Sequence, residues 1–154
     1  MGNILVNGTA YAKTDRGGTT YAAAMATDGN LGTRWASNDN DVPTWWAYDL
    51  GVGVSKAAGS VSYYLASTEL PNSFTIDCSN DNSHWTTVLT TTGLNSASTW
   101  LTYPIPVVIA ARFWRMTVNS VWSGVVGSLS EIQMTETLIR PATPAVFGLP
   151  RGGR

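Results

Sequence analysis

The chain has one cysteine, one histidine and only two lysines in 154 residues. Cys78 has no partner for an internal disulfide, so the fold must be held by burial alone. With His84 the only histidine, a zinc site built from several His or Cys ligands cannot be assembled. Charge is scarce as well: 12% of residues are charged, against about 25% in an average domain, and the formal net charge is −1. Such a balance provides no basic surface for a polyanion, so no nucleic-acid partner is expected. Lysine stands only at positions 13 and 56, which leaves no basic rim to hold anionic lipid, and no membrane insertion is expected either. No apolar run approaches the roughly 18 residues of a membrane span. The N-terminus shows no charged region followed by an apolar one, so no secretion signal is read in it.

What the chain has instead is neutral polarity and aromatic bulk. Thr, Ser and Asn number 20, 14 and 10, and there are seven tryptophans. A domain of this length hides roughly 70% of its unfolded surface, enough for a stable core without a staple. Helical periodicity is weak; the Ala-rich stretch from Thr20 to Met25 allows one short turn between glycine-marked bends. Alternation of period two is clear. Val61, Tyr63 and Leu65 alternate with Ser60, Ser62 and Tyr64, and Phe74, Ile76 and Cys78 alternate with Ser73, Thr75 and Asp77. Further strands are expected over Trp45–Leu50, Trp85–Thr90, Thr99–Ile109, Arg112–Asn119 and Leu129–Thr135. Turn clusters separate them, notably Asn38–Asp41, Gly51–Gly53, Ser79–Ser83 and Gly93–Ser98. Strands about ten residues apart with no helices between them predict an all-β antiparallel sandwich or jelly roll over residues 1–138. From 139 to 154 Pro141, Pro144, Pro150, Gly152 and Gly153 predict an irregular, extended tail.

Within this frame the Asp28-Gly29-Asn30 turn has a chemistry of its own. Gly29 is free to take positive φ, and a tight loop turns carbonyl oxygens inward while Asp28 and Thr33 add side-chain oxygens. An oxygen cage of this kind suits a hard cation such as calcium. The plain alternative is an Asx turn at Asp28 with Glu131 as a solvated strand residue.

Ala26-Thr27-Asp28-Gly29-Asn30-Leu31-Gly32-Thr33-Arg34-Trp35-Ala36-Ser37 is followed by Trp45-Trp46-Ala47-Tyr48-Asp49-Leu50-Gly51 and by Ser79, Asp81 and Trp85. Ala111-Arg112-Phe113-Trp114-Arg115 and Ser128-Leu129-Ser130-Glu131-Ile132 close the series. In that order and spacing, from about residue 3 to residue 136, the chain resembles the discoidin family. This is the coagulation-factor type C domain, which includes the family 32 carbohydrate-binding modules. The resemblance implies a galactose-binding-domain-like jelly roll and a structural Ca2+. Its side-chain oxygens would come from Asp28, Thr33 and Glu131, and its main-chain oxygens from Met25, Asn30, Thr33 and Ser130. It also implies that Trp35, Trp45, Trp85, Phe113 and Ile132 are core residues.

The family's ligand loops map onto Asp15–Tyr21, Asn38–Thr44, Tyr64–Leu70 and Trp122–Gly127. Trp122, between Val121 and Ser123-Gly124, is the candidate aromatic platform for a sugar ring, and Asp15, Arg16, Asn38, Asp39, Asn40 and Asp41 are the candidate polar contacts. The sequence departs from the galactose-binding pattern, which places an arginine after the third motif strand and a histidine in the loop after the Trp-x-Ser piece. Here those places hold Ala66-Ser67-Thr68-Glu69 and a histidine-free Asn38–Thr44.

Catalysis is not expected. Ten carboxylates sit mostly in turns, with no convincing acid/base pair, and His84 and Cys78 fall in a turn and on an inward strand parity. The expectation is a non-catalytic, lectin-like module that recognises cell-surface or polymeric glycans, acting in the extracellular space or on a virion surface. The second reading is a bacteriophage tail-fibre or capsid component whose main role is assembly. Its partners would be a viral scaffold protein or further copies of itself as a homo-oligomer.

Overall fold

In the computed structural model the described residues are 1–140. Eleven strands carry the fold: β1 (Thr9–Ala12), β2 (Trp35–Ala36), β3 (Thr44–Asp49), β4 (Lys56–Tyr64), β5 (Pro71–Ser79), β6 (Thr86–Thr92), β7 (Trp100–Pro104), β8 (Ala110–Ala111), β9 (Phe113–Val121), β10 (Ser128–Leu129) and β11 (Glu131–Glu136). One sheet has the order β1-β3-β9-β5-β6 and the other β11-β4-β7, with β10 and β2 pairing as a short ribbon and β8 against β4. All named pairings are antiparallel. The expected antiparallel sandwich is therefore the fold.

The two sheets close on each other because each strand prints one apolar parity. From β4 come Val61 and Tyr63, from β5 Phe74 and Ile76, from β9 Trp114, Met116 and Val118, and from β11 Ile132 and Met134, all fully buried. Tyr63 stacks on Tyr103 at 5.8 Å, and Phe74 meets both rings edge-on. Each buried indole finds an acceptor: Trp35 donates to the Thr14 carbonyl at 3.0 Å, Trp46 to Ala23 at 2.9 Å and Trp114 to Ala111 at 3.3 Å. Phe113 and Ile132 are core residues, as expected.

Several local expectations need correction. Trp45 is only partly buried and meets Tyr11 edge-on; its neighbour Trp46 is the core residue of that pair. Trp85 is likewise only partly buried, beneath the Arg115 guanidinium at 4.1 Å. The strand expected over Thr99–Ile109 stops at Pro104, because Pro104 and Pro106 have no N–H to continue a ladder. β1 carries too little alternation to be read from Thr-Ala-Tyr-Ala. The single helical turn is two short 3-10 segments, Gly18–Tyr21 and Ala23–Thr27. Of the expected tail 139–154, everything from Pro141 onward lies outside the described residues.

Candidate functional site

Strand register decides which loops share an end of the sandwich. Ala12 pairs with Trp46, Thr44 with Val118, Pro71 with Val121 and Ser73 with Thr92. In the second sheet Tyr64 pairs with both Trp100 and Glu131. The loops that follow β1, β4, β6 and β9, together with the one preceding β3, therefore gather at one end. The candidates Asp15, Arg16, Asn38, Asp39, Asn40 and Trp122 all stand on these loops. The Ser79–Trp85 turn sits at the opposite end, and His84 with it.

Backbone hydrogen bonds lock the loops to one another. The Arg16 N–H donates to the Ala36 carbonyl at 2.8 Å, and the Asn40 N–H to the Val125 carbonyl at 3.0 Å. Asn40 itself takes φ 56°, a conformation asparagine tolerates and most side chains do not. At the base of the last loop, a Cβ on Gly127 would collide with the Thr44 methyl, so only glycine permits this approach. Trp122 is 44% exposed. Its backbone N–H reaches the Leu70 carbonyl at 2.9 Å and its indole N–H the Gly93 carbonyl at 3.1 Å. The ring is thus oriented by its own polar edge while much of its surface stays open to a ligand.

The charges around Trp122 are mostly paired off. Lys13 meets Asp41 at 2.7 Å, and Thr14 and Thr44 donate to the same carboxylate at 2.6 and 3.3 Å. Burial works against the Asp41 charge, but the Lys13 and Thr14 donors together hold its pKa below the ordinary value. Arg16 and Asp39, both well exposed, approach at 3.4 Å. Arg34 pairs with Glu69 at 2.7 Å and lies 5.3 Å above the Tyr21 ring. Asp15 is in no ion pair among the described residues, and desolvation raises its carboxyl pKa. Neither the Arg34–Glu69 pair nor the Lys13–Thr14–Asp41 network was legible in the sequence, since no local pattern joins residues 35 and 27 positions apart.

Beside these loops, Asp28 and Glu131 come together across 102 residues of chain: the Gly29 N–H donates to Glu131 at 3.1 Å. Gly29 has φ +75°, as the turn requires. Asp28 accepts from the Asn30 N–H at 2.8 Å and the Thr33 hydroxyl at 2.7 Å, and that hydroxyl also reaches the Asn30 carbonyl at 2.9 Å. Glu131 is not a solvated strand residue; only 5% of it is exposed. Burial, and secondarily the Asp28 charge, pushes its pKa up to about 7, opposed by the Gly29 N–H. Neither carboxylate has a basic partner among the described residues. Ser130 is buried next to Glu131, and its hydroxyl accepts the Ala66 N–H at 3.3 Å. Met25 belongs to the second 3-10 segment, which leads into the Asp28 turn. No group of three or more His, Cys, Asp or Glu is poised for a metal among the described residues. The donor set is instead two carboxylates with neutral oxygens, which fits calcium and suits no softer metal.

At the far end Asp81 accepts from His84 Nδ1 at 2.7 Å and from two backbone N–H groups; these donors hold its carboxyl well below the usual range. The His84 side chain is 90% exposed. Cys78 is buried, and burial pushes its thiol pKa up. No helix among the described residues is long and apolar enough to cross a membrane.

The profile of the NedA-like, galactose-binding domain matches residues 25–116, well over half of the chain. A point mutant of chitosan-binding module 1, from the chitosanase/glucanase of Paenibacillus sp. IK-5, superposes with a TM-score of 0.74 at 30% identity, over 86% of this chain and 97% of that one. The family 32 module of AlyQ, in complex with 4,5-unsaturated mannuronic acid, gives 0.73 at 23% over 88% and 98%. That of C. perfringens NanJ, in complex with galactose, gives 0.72 at 20% over 86% and 97%. No curated protein sequence matches the chain. By the profile match over more than half of its length, the chain belongs to the NedA-like, galactose-binding domain family of coagulation-factor type C folds, and its structural neighbours include family 32 carbohydrate-binding modules.

Proposed function

We propose that the chain is a non-catalytic carbohydrate-binding module that recognises polymeric or cell-surface glycans with the loops around Trp122. The observation that carries this reading is an indole 44% exposed, oriented by its N–H bond to Gly93, at the end of the sandwich where the candidate polar loops converge. A pyranose ring would lie against the indole, and Asp15, Arg16, Asn38, Asp39 and Asn40 would contact its hydroxyls. Chitosan is the first ligand to try. The solved structure at 30% identity is a chitosan-binding module, and Asp15 offers a carboxylate with no ion pair to an amino sugar. The galactose reading is weaker, because Glu69, held by Arg34, stands in the loop where galactose binders place an arginine.

A structural Ca2+ belongs to the same proposal. It would be held by Asp28, Thr33 and Glu131 through side chains and by Met25, Asn30, Thr33 and Ser130 through main-chain oxygens. Bound there it supplies positive charge to two facing carboxylates and ties the Asp28 turn to the start of β11. A single shallow site of this kind gives a dissociation constant on the order of 0.1–1 mM, so several copies on one scaffold or surface would raise the avidity. The place of action that suits the ligand is outside a cell or on a virion.

Binding to an array of chitosan, galactose and mannuronate oligosaccharides tests the reading. Trp122→Ala is expected to weaken binding at least about tenfold, equivalent to 1.4 kcal/mol, with little change in melting temperature. Unchanged binding by a folded Trp122→Ala protein removes the platform and the reading with it.

A further inference from the structure

A second aromatic surface lies at the same end of the sandwich, off the loops and on the outward face of the four-stranded sheet. Trp100 is 40% exposed at the first position of β7. Tyr64, its register partner at the end of β4, lies with its ring centroid 5.9 Å away and its plane tilted by 55°. One step along the same face, Ser62 and Thr102 share a hydroxyl hydrogen bond at 2.8 Å. Beyond them Ser60 pairs with Pro104, and on β11 Gln133 pairs with Ser62 and Thr135 with Ser60. Every outward position of this patch is neutral except Glu131, which the Asp28 turn covers.

The chemistry of that face is specific. Two tilted rings followed by hydroxyls and an amide can stack on the C–H face of a sugar and accept or donate to its hydroxyls. With no exposed charge in the patch, an anionic peptide or a lipid headgroup has nothing to pair with. One chain segment also links this face to the loop site. The segment 93–99 touches Trp122 at one end, through the Gly93 carbonyl, and the residue that follows β4 at the other, where the Ser98 N–H donates to the Leu65 carbonyl at 2.8 Å.

We propose that Trp100 and Tyr64 form a second carbohydrate subsite, which takes further residues of the same polysaccharide chain whose first ring rests on Trp122. This rests on the carbohydrate-binding reading above and extends it: the module would recognise a run of linked sugars rather than a single terminal one. Trp100 stands on an edge strand, and apart from its contact with Tyr64 much of its indole is open to a ligand.

Titration calorimetry with chitosan oligosaccharides of increasing length, alongside a panel of immobilised chitosan, glucan, alginate and galactan, tests the proposal. For the native protein affinity should rise with chain length beyond the shortest binding oligomer. Trp100→Ala should flatten that rise, by about tenfold for the longest chain, and leave the shortest ligand unaffected. Trp100→Phe, which keeps a ring, should restore most of the gain and shows that the loss is not one of folding. If Trp100→Ala binds every length like the native protein, the second subsite is overturned while the Trp122 site stands. If affinity does not rise with length at all, it is overturned as well. Failure of the native protein to bind any polymer of the panel overturns both readings. A larger solution mass for the native protein than for Trp100→Ala would show that a second copy covers this face, and would likewise overturn the subsite.

Discussion

Asp77 and Glu131 are equally buried, at 4% and 5% exposure, one on each sheet, yet the fold treats their charges differently. Asp77 accepts from Arg115 at 3.1 and 3.2 Å and from the hydroxyls of Thr87, Thr117 and Thr75 at 2.7, 3.2 and 3.4 Å. Its charge is met entirely from within the chain. Glu131 has one donor among the described residues, the Gly29 N–H, and faces a second carboxylate. A buried charge left in that condition either takes up a proton or takes a cation from outside. The difference separates a carboxylate whose charge is met by folding from one whose charge folding leaves largely unmet.

The largest effect should come from breaking the self-sufficient site. Asp77→Ala leaves the Arg115 guanidinium and three threonine hydroxyls without their acceptor, and should cost about 3 kcal/mol in urea denaturation. The stack of Arg115 on Trp85 keeps the loss from being larger. A loss within the ordinary range of surface substitutions would show that Asp77 is not held as argued.

The second prediction sharpens the contrast. Calcium at about 100 times its dissociation constant should add about 2.7 kcal/mol, which raises the melting temperature by about 5–10 °C for a domain of this size, and a chelator should remove the gain. Glu131→Gln should abolish the calcium response and cost nothing in chelator. A native protein whose melting temperature ignores calcium would put an end to the metal proposal.

The smallest effect belongs to a half-buried counterpart. Arg112 holds Asp49 through two hydrogen bonds of 2.7 Å and keeps its carboxyl below the usual range. A depressed folded pKa stabilises above the unfolded value, near 4, and that contribution is lost as pH falls through the folded one. Arg112→Ala should therefore lower the urea midpoint slightly at pH 7, and the gap from the native protein should close in acid. The pair is solvent-screened, so a large gap at neutral pH would contradict this account.

How much of this was legible beforehand follows from what each feature depends on. β4 and β5 could be read directly, because a strand buried on one face alternates in sequence. The Trp45-Trp46 pair could not be resolved: both are tryptophan, and only the pairing of β3 between β1 and β9, with the Ala23 carbonyl waiting for one indole, decides which turns inward. Asp28 and Glu131 were brought together by a family resemblance, and the structure supplies the contact and the burial behind it. Alternation put Tyr64 on the outward parity of its strand, but its pairing with Trp100 had no signal, since nothing links residues 36 positions apart until register places them side by side.

By itself the sequence determined an all-β body, its neutral polar surface and the turn chemistry of Asp28-Gly29-Asn30, because alternation and turn preference are local properties. Only the tertiary structure decided which tryptophans are core and which are open, which acids are paired with donors and which are not, and which loops share an end. Those depend on register and on the meeting of two sheets, which bring distant residues within hydrogen-bond reach and shut water out between them.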